Sequence, residues 1–525
     1  MTHEHSHSSS SLPSQCRCCT KSICTSQPSD CVSRRGFMAG ASAVAAGGIA
    51  LSALGAQRAF SDDTEHIKPI QKTLTVQPVF LYGVAQPREK TSWRGWGGIK
   101  TQQDVADEKR RIEHEMESLK KEVDFPIELR PLREAQNPDQ AAAIAKENYD
   151  VTLMFASNCG TDTLEALSDP NKWTLMFVRH RSGPVYLWYE IAHNRYLRKT
   201  VDDFGQPGVG PKDVIVDRMD EVAWRLKSLY AVKNTMGKKI VSLGGSSGWG
   251  AGGQSAPEHT RNIFKMDLID VTYDDLSVRI KKAQANKMLV KRCAQDSANY
   301  LKQPGVEMNT NPEFMERAFL LTEVFQQLMD EAGTDAFTIN NCMGTVMGIS
   351  ETTACMPLSL LNDGGYQAFC ESDFVVIPSG VLLHYLCNKP VFLNDPTYPH
   401  DGVVTMAHCT APRKMDGETD EPVNILTHFE SDYGAAPKVE FKLGETMTVI
   451  DPDFNFERWM GFTAEVVDNP FMDICRSQVD IQMHADTDRV NEETRGFHWM
   501  ACYGDYTKET GYALDKIGID WLKLS

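Results

Sequence analysis

Short apolar runs, each followed by a longer amphipathic segment, recur between residues 77 and 371 of this chain. This alternation restricts the fold more than any other feature, because strand–helix–strand repeats build parallel β-α-β units with helices covering the sheet. Gln77–Val84, Ile127–Leu132, Val151–Ala156 and Thr174–Val178 read as strands and Gln102–Glu122 as a charged helix, giving a first α/β domain over residues 70–205. A helical pattern at Asp213–Met236 leads into a second α/β domain, residues 206–385. Its expected strands are Lys239–Leu243, Asp267–Thr272, Ala336–Asn340 and Gln367–Glu371, with a helix at Pro312–Ala332. Beyond residue 415 the texture changes. Asn424–Phe429, Val439–Leu443, Thr446–Ile450 and Ala464–Val467 are short strand-like pieces divided by Gly, Pro and Asp, so residues 386–525 read as a β-rich C-terminal domain. The expected class is α/β: two successive parallel-sheet domains, then a β-rich one.

Charge and hydropathy narrow the function. Across 525 residues, 54 Lys and Arg stand against 71 Asp and Glu, a net charge of −17, which argues against a protein built to grip nucleic-acid phosphates. After residue 60 there is no apolar run long enough to span a bilayer. Residues 1–60 read as a leader. A Ser-, His- and Cys-rich stretch precedes Ser33-Arg34-Arg35-Gly36-Phe37-Met38, and a weakly apolar segment then reaches Ala56. This pattern resembles a twin-arginine export signal, cleaved between Ala53 and Ala59. It implies a periplasmic or otherwise exported protein that crosses the membrane folded, often with its cofactor loaded. Five of the 14 cysteines (Cys16, Cys18, Cys19, Cys24, Cys31) would leave with the leader. The others are scattered without a C-x-x-C, so neither a zinc knuckle nor a disulfide framework is indicated.

The chemistry concentrates between Cys355 and Pro412. Gln367–Cys370 is an apolar run ending in Glu371, and Ser372 or Asp373 can cap the helix that follows. Lys389-Pro390 breaks that helix, and Val391–Leu393 forms the next strand, ending in Asp395. This reads as one β-α-β crossover with an acid at the carboxyl end of each strand. Neighbouring strands lie ~4.8 Å apart, so two such carboxylates can share a metal ion or a substrate at the sheet edge where open α/β folds bind ligands. The plainer alternative is that both acids cap helices or start turns.

Cys370-Glu371-Ser372-Asp373, Pro390–Asp395 and His408–Pro412, with Gly496-Phe497-His498-Trp499 and Tyr503-Gly504-Asp505 near the C-terminus, resemble the L-fucose isomerase family of aldose–ketose isomerases. The resemblance implies a divalent ion, Mn²⁺, held by Glu371, Asp395 and His498, and two hard oxygens with one imidazole suit that ion. Similarity to the L-arabinose isomerases adds His408 as a fourth candidate ligand. It further implies catalysis by Glu371 and Asp395 through an enediolate, with the identity of the base left open. A monosaccharide partner and a homo-oligomer, hexameric in the family, are also implied.

Two other classes compete. Gly248, Gly250 and Gly253 within Gly244–Gly253 satisfy G-x-G-x-x-G, which would suit an NAD(P)-dependent oxidoreductase acting on sugars. The match begins five residues late on its strand, however, and a loop at the sheet edge near the sugar is the competing reading. A non-catalytic sugar-binding protein of the same fold is the third class. Trp93, Arg94 and Trp96 could stack on and hydrogen-bond a sugar, or form a surface turn. His428 and Glu430 could line the cleft or simply be strand polarity, and His484, Asp486 and Asp488 read as a polar loop.

Overall fold

In the computed structural model, residues 66–525 are described apart from 201, 203 and 204, and they belong to one compact unit, Asp62–Ser525. The twin-arginine leader lies outside the described residues. Among the described residues, no helix is long and apolar enough to cross a membrane.

The first sheet is parallel throughout. Its order is Ile127–Leu129, Leu74–Leu81, Val151–Ala156, Trp173–Val178 and Val214–Val216, with Arg133–Ala135 pairing the far end of Leu74–Leu81. Both faces are covered, so its central strands are apolar along their length rather than alternating. The helix Gln102–Glu122 begins at Thr101, whose side chain accepts from the Asp104 N–H while Asp104 reaches back to the Thr101 N–H. It buries Val105, Ile112, Met116 and Leu119 at helical spacing. The sequence predicted one long helix over Asp213–Met236. Instead the β-branched Val214–Val216 adds an edge strand and the helix starts at Met219.

The second sheet, also parallel, runs Gln367–Phe369, Ala336–Ile339, Lys239–Leu243, Asp267–Val271. The long helix Pro312–Ala332 covers it, opened by Asn311 and Pro312 and stopped by Gly333 at φ +64.

The C-terminal region is antiparallel. Thr446–Pro452, Trp499–Tyr503, Phe392–Pro396, Val403–His408, Ser477–Met483 and Arg458–Asp468 pair in that order, and Thr446–Pro452 also pairs Arg458–Asp468, closing the sheet into a barrel. Asp520–Lys523 adds in parallel outside it. Phe392, Met406, Val449, Phe462, Ile481 and Trp499 belong to a core of their own. A small sheet joins Tyr433–Val439, Val423–His428 and Val306–Met308. The strand expected at Val439–Leu443 lies earlier, at Tyr433–Val439. Gly434 and Pro437 hide it from a propensity reading, and Pro437 is tolerated because this strand is a sheet edge.

One correction bears on the site. The strands preceding Glu371 and containing Asp395 are not neighbours in a parallel crossover. Gln367–Phe369 pairs only with Ala336–Ile339, whereas Phe392–Pro396 is antiparallel to Val403–His408 and Trp499–Tyr503 in the barrel. The helix between them, Ile377–Cys387, is buried at every residue. A helix apolar all round does not return its chain to the face of the same sheet; it carries it through the core into the next layer.

Candidate metal centre

Four side chains from four separate segments converge where the carboxyl edge of the second sheet meets the barrel. Glu371 follows Gln367–Phe369 directly. Both it and Ser372 are left-handed, at φ 64 and 47, a conformation that costs a non-glycine residue about 1–3 kcal/mol and persists only where its surroundings enforce it. Here the Ser372 N–H donates to Thr338 Oγ1 (3.2 Å), and the Ser372 carbonyl accepts from the Ser247 N–H (3.3 Å). Asp395 sits in Phe392–Pro396 opposite Ala407, and His408 ends the adjoining strand. His498 immediately precedes Trp499–Tyr503. Its approach is fixed by Asp451, whose carboxylate accepts the N–H groups of Arg495 (2.8 Å) and Gly496 (2.9 Å). A Cβ at Gly496 would stand 2.5 Å from that carboxylate, so glycine is required.

His498 Nε2 lies 3.2 Å from Asp395 Oδ1 and 3.5 Å from Glu371 Oε2, and His408 Nε2 lies 3.7 Å from Glu371 Oε1. Among the described residues, two compact sets have ligand atoms all within 4.8 Å of one another: Asp395, His408 and His498, and Cys370, Glu371 and His408. The two carboxylates thus fall in different sets, and His408, the weakest of the sequence candidates, is common to both. The imidazoles are buried while the carboxylates are about one-third exposed, so the cage opens on its acidic side.

The polar accounting makes the cage a candidate ligand site. Glu371 Oε2, Asp395 Oδ1, His408 Nε2 and His498 Nε2 are all buried without a hydrogen-bond partner, whereas the outer imidazole nitrogens are taken. His498 Nδ1 is 2.7 Å from Asp373 Oδ2, and His408 Nδ1 is 2.9 Å from Thr410 Oγ1. A histidine that ligates a metal characteristically has one ring nitrogen held by a neighbouring acceptor or hydroxyl and the other left bare, as both do here. Electrostatics agree. Burial opposes ionisation of Glu371, but His408 and His498 outweigh it and hold the carboxyl well below its usual range. Burial lifts Asp395. Burial likewise disfavours charge on His498, yet Asp373 and Glu371 raise it to about 10. A cation fits where these groups, without one, attract protons.

Sequence reasoning missed Asp373 as more than a cap. The helix starts later, at Ile377, and this fully buried carboxylate instead orients His498 and accepts the Trp249 N–H (3.2 Å). Two acids separated by one residue after a strand were the available signal. Cys370, within reach of the cage, enters the sequence reading only as part of a motif.

The glycine loop folds onto this site. Gly248 and Gly253 pack backbone to backbone, a Cβ on Gly248 meeting Gly253 at 2.2 Å, so these glycines serve the loop's own closure. Trp249 stacks on Phe497 (4.4 Å, 8°), and both rings stand edge-on to His498. Trp93 and Arg94 contribute no atom to the cage. They line a separate cavity of about 430 Å³ with Val84, Lys100 and Asn158, at the carboxyl ends of the first sheet's strands. His428 is buried against Ser431 and Glu430 is exposed. His484 contacts Thr463, and Asp486 caps the helix Thr487–Glu493, consistent with a polar loop.

No protein-family profile matches this chain, and no curated protein matches it significantly.

Proposed function

We propose that this protein is a divalent-metal-dependent sugar isomerase, similar to the L-fucose isomerases, that interconverts an open-chain aldose and its 2-ketose. The observation that carries the reading is the set of four unpartnered, buried donor atoms of Glu371, Asp395, His408 and His498 facing one another. Oxygen and imidazole donors of this kind suit Mn²⁺. A bound divalent ion would polarise the sugar's carbonyl and acidify the neighbouring C–H. The chain's own work is the proton transfer. Glu371 or Asp395 takes the proton from C2 and returns it at C1, and only these two carry the necessary exposed carboxylate edge in the cage. The Asp373 carboxylate keeps His498 turned inward, and Trp249 with Phe497 offers an aromatic wall, each ring more than two-fifths exposed, against which a sugar's C–H face can lie. Use of the glycine loop as part of this wall, rather than as a phosphate cradle, favours the isomerase over a nicotinamide enzyme.

The test is a metal analysis of the purified protein followed by incubation with pentoses, hexoses and deoxyhexoses, with added Mn²⁺ and without nicotinamide. Metal-dependent aldose–ketose conversion, abolished by a chelator and restored by Mn²⁺, is expected. No conversion across the panel by a metal-loaded protein would overturn the reading in favour of a sugar-binding protein.

A further inference from the structure

The cage contains a donor that a manganese-type site has no use for. Cys370, 4 % exposed, places its sulfur within 4.8 Å of a Glu371 carboxylate oxygen and a ring nitrogen of His408. His408 Nε2 and Glu371 Oε2 are both buried without partners. We propose that Cys370, Glu371 and His408 form a second, thiophilic metal site that overlaps the oxygen-and-imidazole site and takes Zn²⁺ or Cd²⁺ in preference to Mn²⁺.

The argument is one of donor chemistry. Thiolate and imidazole select zinc-type ions, whereas carboxylate-rich sets suit manganese. The two compact trios share His408, and each holds one of the two carboxylates, so a metal moving from one to the other exchanges Asp395 and His498 for Cys370 and Glu371. Occupation of the sulfur site withdraws the shared His408 from the other, and the two metals therefore compete. Binding converts the Cys370 thiol to a thiolate, with the S–H bond broken, a sulfur–metal bond formed and one proton released to solvent. The sulfur donor must be Cys370 rather than another thiol. Cys355, Cys409 and Cys475 touch one another in a separate cluster, and none joins a compact trio with the cage carboxylates.

The inference uses the same cage as the proposed isomerase site, but it rests on the sulfur trio alone. It is tested by titrating the metal-free, reduced full-length protein with Cd²⁺ and, separately, with Mn²⁺. Cd²⁺ is expected to give a thiolate-to-metal charge-transfer band in the ultraviolet that Mn²⁺ does not give. C342S, which alters the partly exposed neighbouring thiol, should retain the band. C370S and C370A should lose it and bind Cd²⁺ at least about tenfold more weakly, since even outer-shell losses cost metal sites about 10–100-fold. Mn²⁺ affinity should be unchanged in both variants. A ¹¹³Cd resonance at an oxygen- and nitrogen-only shift in the wild type would overturn the proposal without any variant, as would a band that survives in C370S. Mn²⁺ binding and turnover without a thiolate band would defeat this inference and leave the isomerase standing. A Cys370-dependent band in a protein inactive on every sugar would do the reverse.

Discussion

The carboxyl edges of the two parallel sheets have the same topology and opposite polar accounting. At the first, Asp217 accepts the N–H groups of His180, Arg181 and Ser182 and the Ser182 hydroxyl, all at 2.7–3.1 Å. Asn158 accepts from the Gly83 N–H and donates to the carbonyls of Gly83 and Ile99. Arg179, fully buried, lies between Glu108 and Glu115, and the Tyr186 hydroxyl donates to Glu108. At the second edge, one polar atom each of Glu371, Asp395, His408 and His498 is buried and left unpaired. An unsatisfied buried polar group costs about 1–3 kcal/mol, more when charged. The first edge is thus a completed polar network, and the second carries the open donor set on which the proposed metal site rests. Fold topology alone, which directs ligands to either edge, does not make that distinction.

Breaking each edge should therefore give different kinds of failure. The largest effect is expected from Glu371→Gln, which keeps the shape but cannot accept a proton. Turnover should fall about 10²–10⁴-fold with the melting temperature of the metal-free protein unchanged. A variant that loses stability instead would assign Glu371 to the fold. Next is Arg179→Met, which removes the fully buried cation beside Glu108 and leaves that buried carboxylate only the half-exposed Arg111 and the Tyr186 hydroxyl. Removing one partner of a buried pair costs about 3–5 kcal/mol, read as a shifted denaturant midpoint, and metal affinity measured below the transition should not move. Loss of metal binding in that variant would mean that the two edges are coupled.

How much of this was legible in the sequence follows from the range of the forces involved. Gln102–Glu122, Pro312–Ala332, Val151–Ala156 and Lys239–Leu243 have the bounds that periodicity and capping residues predicted, because those signals are local. Which sheet a strand joins is not local. Phe392–Pro396 reads identically as a parallel neighbour of Gln367–Phe369 or as a barrel strand, and only its partners decide: Val403–His408, the next strand, and Trp499–Tyr503, far along the chain. The candidate acids and histidines do meet, although by a route the crossover argument did not foresee. Asp373 was invisible as an orienting group because its partner His498 is 125 residues distant.

The pH dependence of stability has opposite signs at two aspartates, Asp217 at the first edge and Asp363 outside the cage. Burial opposes ionisation of Asp217, but the Ser182 hydroxyl and the surrounding N–H groups pull it down to about 2. Its contribution is present above the ordinary carboxylate value and is lost as pH falls towards 2, so Asp217→Asn should flatten the acid limb. Asp363, which accepts the N–H groups of Arg413 and Lys414 on one oxygen, is pushed up to about 7 by burial. Its folded form holds the proton more tightly than the unfolded chain, so stability declines as pH rises from about 4 through 7. Asp363→Asn retains the accepting oxygen and removes the titration. It should equal the wild type at pH 4 and exceed it at pH 8 in denaturant titrations, and parallel curves for the two proteins would refute the assignment.

The smallest effect tests whether the first edge is as inert as its satisfied polar groups indicate. Thr101 caps the helix that leaves this edge, accepting the Asp104 N–H at 3.2 Å, and the same Thr101 lines the cavity shared by Trp93 and Arg94. Thr101→Ala removes the cap and should cost about 1 kcal/mol, a loss confined to stability. Because Trp93 and Arg94 stay in place, KM for any sugar turned over should be unaffected if the cavity is only a gap in packing. If KM rises while kcat and metal affinity hold, the cavity contacts substrate and the contrast between the edges must be redrawn. Measuring the two quantities on one variant makes the outcome decisive, since a 1 kcal/mol loss spread over the whole fold leaves the folded fraction, and hence the apparent KM, unchanged.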